Sequence, residues 1–220
     1  MAVNEKRVLI VLGGLWHDFD GFADAMRGLF ESHGMRVDAT YDLDSLLHLG
    51  EGHYDLVLNY TCFAAHREGY NDTSPLGLSD AQIDGLAGWV RGGGALLAVH
   101  SATVMGESGP GLGELLGGVF VSHPPQFTFT VYPIFGEHAI TKGIEGFAVH
   151  DEFYMETHMP NVDVHMVAFD RGMAYPMVWS KTEGMGRVIH IAPGHSRIVW
   201  DLEPYQRLLL QAIDWLIERK

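Results

Sequence analysis

The sequence predicts an α/β fold with a doubly wound, mostly parallel sheet that is flanked by helices and ends in antiparallel strands. Short apolar runs alternate with segments of helical spacing through the first half of the chain, as expected of a parallel sheet with helices on both faces. Beyond residue 126, closely spaced strand patterns and a glycine-rich turn favour antiparallel pairing. The 220 residues contain no repeat and no linker, so we predict a single domain over residues 1–220.

The first half of the chain carries four predicted strands, each a short run of mainly apolar residues. They cover residues 7–12, 36–40, 54–59 and 95–99. Helices of amphipathic spacing follow Asp18 and Ser79, and Ser79 is predicted to form a capping box with Gln82. Residues 60–78 are predicted to form a long polar loop, of a length that is often functional. The strand at 95–99 follows three glycines and is apolar throughout, which is typical of a central parallel strand.

The second half of the chain combines short strands with two helices. Strands are predicted over residues 126–132, 163–169, 176–181 and 187–192, and helices over residues 112–116 and 204–217. The segment 182–186, Thr-Glu-Gly-Met-Gly, predicts a hairpin turn between the last two strands. The closing helix has one apolar face and is therefore expected to pack on the sheet.

Composition and charge exclude several classes of protein. The formal charge of −14 argues against a nucleic acid or an anionic membrane surface as the partner. No apolar run reaches the roughly 18 residues of a membrane span, and the first residues do not have the pattern of a signal peptide, so we expect a cytoplasmic protein. The single cysteine, Cys62, excludes an intramolecular disulfide and a thiolate zinc cluster.

Three histidines follow predicted strands at the points where the strands end. His17 follows the first strand, and His100 begins the polar turn after the apolar run 95–99. His195 comes after strand 187–192 and, like His100, is followed by a serine. Ligands of open α/β sheets bind beyond the carboxyl ends of the strands, so these imidazoles should meet there if strand 187–192 is parallel to strand 95–99. The alternative for each is a buried histidine whose nitrogens bond to the backbone.

A polar cluster at residues 150–154, His-Asp-Glu-Phe-Tyr, adds two carboxylates. In an extended segment Asp151 and Glu152 point to opposite sides, so one of them reaches a given site. Glu152 shares its side with His150 and Tyr154, and we therefore select Glu152 as general acid, general base or metal ligand. The alternative for Asp151 is a turn in which it caps a helix.

Two further histidines are placed outside the predicted site. His123 is followed by two prolines and is predicted to lie in a rigid surface loop. His138 is predicted to lie in a solvated turn, with a position near the cleft as the alternative.

Eight short motifs occur in order along nearly the whole chain. They are Gly13-Gly14 with His17-Asp18-Phe19, Gly92-Gly93-Gly94 leading to His100-Ser101-Ala102, Leu116-Gly117-Gly118-Val119-Phe120 with His123-Pro124, His138-Ala139-Ile140-Thr141-Lys142-Gly143, Asp151-Glu152-Phe153-Tyr154, Pro176-Met177-Val178-Trp179, Gly184-Met185-Gly186-Arg187-Val188 and Gly194-His195. In this order they resemble the ThuA-like (trehalose utilisation) family. The resemblance implies a flavodoxin-like fold of the class I glutamine amidotransferase-like superfamily.

The resemblance also bears on the chemistry. In the amidotransferase-like fold, the turn after the central strand normally carries a nucleophilic cysteine, whereas His100 stands there in this chain and Cys62 lies in another predicted loop. The resemblance therefore implies sugar catabolism rather than glutamine hydrolysis. It implies trehalose, a related disaccharide, or a 3-keto sugar formed by a partner sugar dehydrogenase as the small-molecule substrate.

Our leading hypothesis is a carbohydrate-processing enzyme, a hydrolase or lyase that acts on a keto-glycoside or a disaccharide-derived sugar. His100, His195 and Glu152 would transfer protons, and His17 would bind or polarise a carbonyl. Aromatic rings at the site would stack on a sugar face. The predicted substrate-binding residues are His17, Trp16, Tyr60, Ser101 and Tyr154.

A divalent metal ion such as zinc is the one cofactor that the site residues suggest. His17, His100, His195 and Glu152 would hold it, and it would polarise a carbonyl more strongly than His17 alone. Two alternatives stay open: a non-catalytic sugar-binding or regulatory protein that lacks the nucleophilic cysteine, and a hydrolase that uses Cys62. Aromatic residues of the 60–78 loop are candidates for a homo-oligomer surface.

Overall fold

A computed structural model describes residues 5–63, 75–134 and 138–218. The strands are β1 (Lys6–Gly14), β2 (Met35–Thr40), β3 (Leu56–Cys62), β4 (Ala95–Val99), β5 (Gly118–Ser122), β6 (Phe127–Pro133), β7 (Phe147–Asp151), β8 (Met155–His158), β9 (Asp163–Asp170), β10 (Met173–Glu183) and β11 (Gly186–Ile191). The α-helices are α1 (Phe19–Ser32), α2 (Leu49–Gly52), α3 (Asp80–Arg91), α4 (Pro110–Leu116), α5 (Arg197–Trp200) and α6 (Glu203–Ile217). Short 3₁₀ turns cover Leu43–Leu47 and His100–Thr103.

The strands of the described residues form one large mixed sheet and one small one. The large sheet has the order β2-β1-β3-β4-β11-β10-β9-β6-β7, and β5 pairs with β8 in the small sheet. The neighbours from β2 to β11 are parallel and make up the parallel core. The strands from β10 to β7 pair antiparallel and make up the antiparallel wing. The predicted combination of mostly parallel strands with antiparallel strands towards the C-terminus is confirmed. β11 is parallel to β4, as the predicted site requires.

Helices cover both faces of the parallel core because successive side chains of a strand point to opposite faces. Val8 and Ile10 of β1 join the apolar layer that contains residues of α1 and α6. Leu9 and Val11 join the layer that contains residues of α3. All four are buried, and burying one such side chain contributes about 1.5–3 kcal/mol. The doubly wound layering follows from this alternation.

Several short elements differ from the predicted ones. Strands β5, β7 and β8 and helix α5 were not predicted, because segments of four or five residues are too short to show a clear period. The start of the predicted 60–78 loop is wrong, since residues 60–62 continue β3. Residues 64–74 of that loop, and the oligomer surface predicted on it, lie outside the described residues. Within the described ranges, no helix has the length and apolarity needed to cross a bilayer.

The antiparallel wing curves back over the edge at which the core strands end. β7 is the last strand of the wing, yet the carboxylate of Asp151 at its end accepts a hydrogen bond from Gly194 N at 2.6 Å. Gly194 follows β11 of the core. The curvature therefore brings the residues after β7 to the carboxyl ends of β1, β4 and β11.

Candidate functional site

Three imidazoles and one carboxylate meet at the carboxyl edge of the parallel core. The ring centroids of His17 and His195 are 4.7 Å apart, and those of His17 and His100 are 5.1 Å apart. Glu152 Oε2 lies 3.3 Å from His100 Nε2 and 3.3 Å from His195 Nδ1. We call these four residues the His/Glu cluster. They are the residues that the sequence predicts as catalytic or metal-ligating, and the fold brings all four together.

His17 is positioned by the turn that ends β1. Gly14 has a φ of +107°, and a Cβ there would overlap the carbonyl oxygen of Cys62, so this turn requires glycine. His17 Nδ1 lies 3.0 Å from Leu15 O. Because a carbonyl oxygen only accepts, Nδ1 carries the hydrogen, and in the neutral ring Nε2 keeps its lone pair. That Nε2 lies 3.2 Å from His195 Nδ1.

His100 begins the 3₁₀ turn after β4 in an unusual backbone conformation. Its φ is +48°, in the left-handed region that residues other than glycine rarely adopt. Nδ1 donates to Ala192 O at 2.7 Å, and the ring stacks on Tyr154 with a centroid separation of 4.2 Å. Nε2 is buried and has no hydrogen-bond partner within the described ranges. In the neutral ring its lone pair faces Glu152 Oε2 at 3.3 Å, so a proton or a cation is needed between the two atoms.

Asp151 positions the loop that carries His195. Its completely buried carboxylate accepts hydrogen bonds from Gly194 N at 2.6 Å and from His195 N at 3.3 Å. Burial raises the pKa of Asp151, and the charge of His100 and the Gly194 amide oppose that effect. The sequence pattern favours Glu152 over Asp151 as the site residue. In the structure, Glu152 belongs to the His/Glu cluster, whereas Asp151 lies behind the cluster and holds the loop that carries His195.

The pKa shifts at the site leave Glu152 ionised and His17 neutral at neutral pH. Burial by itself would raise the pKa of Glu152, but its contacts with the His100 and His195 imidazoles and the charges of these rings hold it well below its ordinary value. Burial lowers the pKa of His195, but the contact with Glu152 and the negative charges of Glu152 and Asp151 together raise it above its ordinary value. Burial and the charge of His100 lower the pKa of His17 to about 3. An ionised carboxylate and a neutral imidazole are the forms that bind metal ions.

The donor atoms of the cluster fit a divalent metal ion such as zinc. One ligand atom from each of the four residues lies within 4.8 Å of the others. Neighbouring atoms are 3.2 Å apart between His17 and His195, and 3.3 Å apart between Glu152 and its two histidine partners. Zinc–nitrogen bonds of about 2.0–2.1 Å in a tetrahedral site place the ligand atoms about 3.3 Å apart. The second nitrogens of His17 and His100 donate to backbone carbonyls, as is typical of metal-binding histidines.

The predicted substrate-binding residues divide into exposed and buried ones. Trp16, next to His17, is 51 % exposed. Tyr60 and Ser101 are completely buried, and Tyr154 is 2 % exposed. The prediction that these three contact a ligand is therefore corrected, because their burial leaves almost no surface for one. Tyr60 instead donates a hydrogen bond to Gly194 O at 3.0 Å and so supports the loop of His195.

His123 is a site residue that the sequence analysis missed. Its Nε2 lies 3.8 Å from Glu152 Oε1, its Nδ1 donates to Pro124 O at 2.9 Å, and its side chain is 34 % exposed. The two prolines correctly indicate a rigid loop. The prolines do not indicate where the loop lies, and it is the β5–β8 sheet that brings the loop next to the cluster.

His150 lies away from the cluster. It is exposed, and its Nδ1 is 3.2 Å from the hydroxyl of Thr128 on β6. The predicted shared side of His150 and Glu152 is wrong because β7 ends at Asp151, so its alternation does not continue through Glu152.

Cys62 is poorly suited to act as a nucleophile. It lies in β3, is 1 % exposed, and has a pKa raised to about 12 by burial and by the charge of Glu152. A thiol that stays protonated at neutral pH is weakly nucleophilic. The hydrolase alternative that uses Cys62 therefore has no support at this site.

Comparison with known proteins places the chain in a family. A model of the ThuA family, described as trehalose utilisation, matches residues 7–216. No curated protein matches the chain.

Solved structures share the fold at low sequence identity. A ThuA-like protein from Bacteroides uniformis ATCC 8492 has a TM-score of 0.77 at 17 % identity, with 98 % of this chain and 94 % of that chain covered. A ThuA-like protein from Parabacteroides merdae ATCC 43184 has a TM-score of 0.78 at 17 % identity, with 97 % and 90 % covered. A β-galactosidase from Rahnella sp. R3 has a TM-score of 0.68 at 16 % identity, and the match covers 98 % of this chain but 32 % of that enzyme.

Proposed function

The chain belongs to the ThuA family of trehalose utilisation, and from this premise we propose that it is a metal-dependent carbohydrate-processing enzyme. The family indicates a role in sugar metabolism. We assign the chain to the hydrolases or lyases that act on a keto-glycoside or a disaccharide-derived sugar. A sugar dehydrogenase would supply the keto form of that substrate.

The observation that carries this proposal is the convergence of His17, His100, His195 and Glu152 within 4.8 Å. These residues would hold a divalent ion such as zinc. When bound, the ion supplies a Lewis acid that polarises a sugar carbonyl oxygen. The carbonyls of Leu15 and Ala192 orient His17 and His100 for this task.

A ligand would enter past His123, which lies 3.8 Å from Glu152, and past Trp16, the exposed residue next to His17 in the sequence. His123 donates Nδ1–H to Pro124 O, so in its neutral form Nε2 can accept a hydrogen bond from a sugar hydroxyl. Glu152 Oε1 faces His123 rather than the other histidines and is a second acceptor for a hydroxyl. The indole of Trp16 offers a flat apolar face, of the kind on which sugar rings stack.

The proton-transfer roles predicted for His100, His195 and Glu152 depend on the metal. A nitrogen lone pair that binds a metal ion cannot also accept a proton. In a metal-free enzyme, ionised Glu152 and His195, whose pKa is raised by Glu152, would instead form an acid–base pair.

Elemental analysis and calorimetry test the metal. We expect about one zinc or similar ion per purified chain, and a zinc affinity that the variant His100→Ala largely loses. His48→Ala, which alters an exposed histidine outside the site, should keep wild-type affinity. Purified protein without stoichiometric metal and without affinity for added zinc would leave the acid–base pair as the mechanism.

Mass spectrometry of incubations with 3-keto-disaccharides tests the reaction. We expect product with the wild type and with His48→Ala, and none with His100→Ala. Full turnover by His100→Ala would remove the His/Glu cluster from the chemistry. Sugar binding without product over hours would support the non-catalytic binding or regulatory protein instead.

A further inference from the structure

The segment after β7 places every second side chain against the turn that carries His100. Glu152 reaches His100 Nε2, and Tyr154 stacks on the His100 ring. Glu156 accepts a hydrogen bond from Thr103 Oγ1 at 2.6 Å. Thr103 is the last residue of the same 3₁₀ turn. The period-two alternation that was expected to include His150 therefore starts at Glu152 and continues into β8.

Glu156 is a buried carboxylate that the proposed reaction does not use. Its side chain is completely buried, and Oε1 lies 3.3 Å from Nε2 of His190, which is also completely buried. His190 lies in β11, where its ring packs on Trp179 with a centroid separation of 4.3 Å. Burying a carboxylate is costly unless it is paired and hydrogen-bonded. A buried carboxylate at this position therefore points to a specific partner, and Thr103 is the closest one.

The hydroxyl of Thr103 has one hydrogen and two acceptors within reach. Glu156 Oε1 is 2.6 Å away, and the carbonyl oxygen of His100 is 3.3 Å away. The shorter distance and the acidic acceptor favour Glu156. This bond ties the end of the turn to β8. His190 Nε2 on β11 lies 3.3 Å from the same Oε1, without a hydrogen bond between the two atoms.

We propose that Thr103, Glu156 and His190 form a positioning unit that holds His100 in its left-handed backbone conformation and directs Nε2 into the His/Glu cluster. A residue other than glycine in the left-handed region is strained and persists where its surroundings constrain it. The Thr103–Glu156 bond supplies such a constraint. The effect on metal binding rests on the proposed function, whereas the orientation of His100 can be measured in the metal-free protein.

Nuclear magnetic resonance of the metal-free protein measures that orientation. The Nδ1–H of His100, buried and bonded to Ala192 O, should give a slowly exchanging downfield signal. We expect Thr103→Val, which removes the hydroxyl at nearly constant volume, to weaken or shift this signal. Thr103→Ser keeps a hydroxyl and should restore it. The control Thr128→Val removes a hydroxyl that contacts His150 in the wing and should change nothing.

Zinc titration and the cobalt(II) absorption spectrum provide the second measurement. Loss of a group that orients a metal ligand typically weakens metal affinity about 10- to 100-fold, and we expect this from Thr103→Val but not from Thr103→Ser. Glu156→Gln keeps the shape but loses the charge, and it should give a smaller loss. If Thr103→Val does not fold, the Nδ1–H signal and the zinc affinity of Glu156→Gln test the positioning unit instead.

The possible outcomes separate the two proposals. Wild-type signal and wild-type zinc affinity in both Thr103→Val and Glu156→Gln would overturn the positioning unit. A wild-type protein that binds neither zinc nor cobalt, together with a lost Nδ1–H signal in Thr103→Val, would overturn the metal-dependent function and leave the positioning unit in place.

Discussion

Histidines come together in two places in the structure, in the His/Glu cluster and in the pair His138 and His165, and the two places differ in their surroundings. His138, which precedes β7, and His165 of β9 pack against each other, with ring centroids 4.2 Å apart and ring planes tilted by 30°. Burial lowers the pKa of His165 to about 4, much as it lowers the pKa of His17 to about 3. Burial and a lowered pKa are therefore common to both places.

The two places differ in what the ring nitrogens face. In the histidine pair, His165 Nε2 lies 2.7 Å from the hydroxyl of Ser180, and His138 Nδ1 accepts from Ile140 N at 3.3 Å. In the cluster, His100 Nε2 has no hydrogen-bond partner among the residues that the structure describes, and it faces a carboxylate. Within the described ranges, the cluster is the one place where three or more such donor atoms converge. Convergence on a carboxylate, rather than a shifted pKa, distinguishes the candidate site from the other histidine pair.

The largest test of this comparison is removal of one imidazole from each place. His195→Ala should weaken zinc binding by more than about 100-fold, because a direct ligand matters more than the groups that orient it. His165→Ala should leave zinc affinity unchanged. Competition with a chromophoric chelator measures both. Equal losses in the two variants would mean that the comparison is wrong.

Acid should destabilise the protein through the pair His138 and His165. Above pH 6.5, His165 is neutral in both folded and unfolded chains; below it, the unfolded chain binds a proton that the folded chain does not bind until about pH 4. Stability therefore falls as the pH falls from 6.5 to 4, by up to about 3 kcal/mol from this residue. Urea unfolding across that range measures it. His165→Gln should show a shallower decline, and an unchanged slope would contradict the assignment.

Asp151→Asn tests the connection between wing and core. The asparagine side chain has one oxygen instead of two, so its NH₂ group would face the N–H of Gly194 or of His195, and two donors cannot bond to each other. The negative charge that strengthens both hydrogen bonds is also lost. We expect a loss of about 2 kcal/mol in the free energy of unfolding, measured by denaturant titration. Asp201→Asn alters an exposed ion pair with Arg197 and should change stability by less than about 1 kcal/mol.

The smallest expected effect belongs to Cys62. Its burial and raised pKa predict that iodoacetamide does not label the folded protein at neutral pH. Cys62→Ala should lower the free energy of unfolding by about 1 kcal/mol and leave zinc affinity unchanged. Rapid labelling, followed by loss of turnover, would revive the thiol hydrolase.

The sequence by itself determined the strands of the parallel core and the ends at which their histidines lie. His17, His100 and His195 each follow an apolar run, and the edge at which such strands end is a local property of the α/β pattern. The capping box at Ser79 and Gln82 is equally local and is present in the structure.

Only the tertiary structure decided how the other half of the site is assembled. Asp151 meets Gly194 across 43 positions of sequence, and His123, Glu152 and Glu156 reach the core because the wing and the β5–β8 sheet fold over its edge. Such contacts depend on the curvature and packing of distant strands, which no local period encodes. The local sequence pattern was enough to predict Glu152 as a site residue. The residues that surround Glu152, and the burial of Tyr60 and Ser101, depend on tertiary packing.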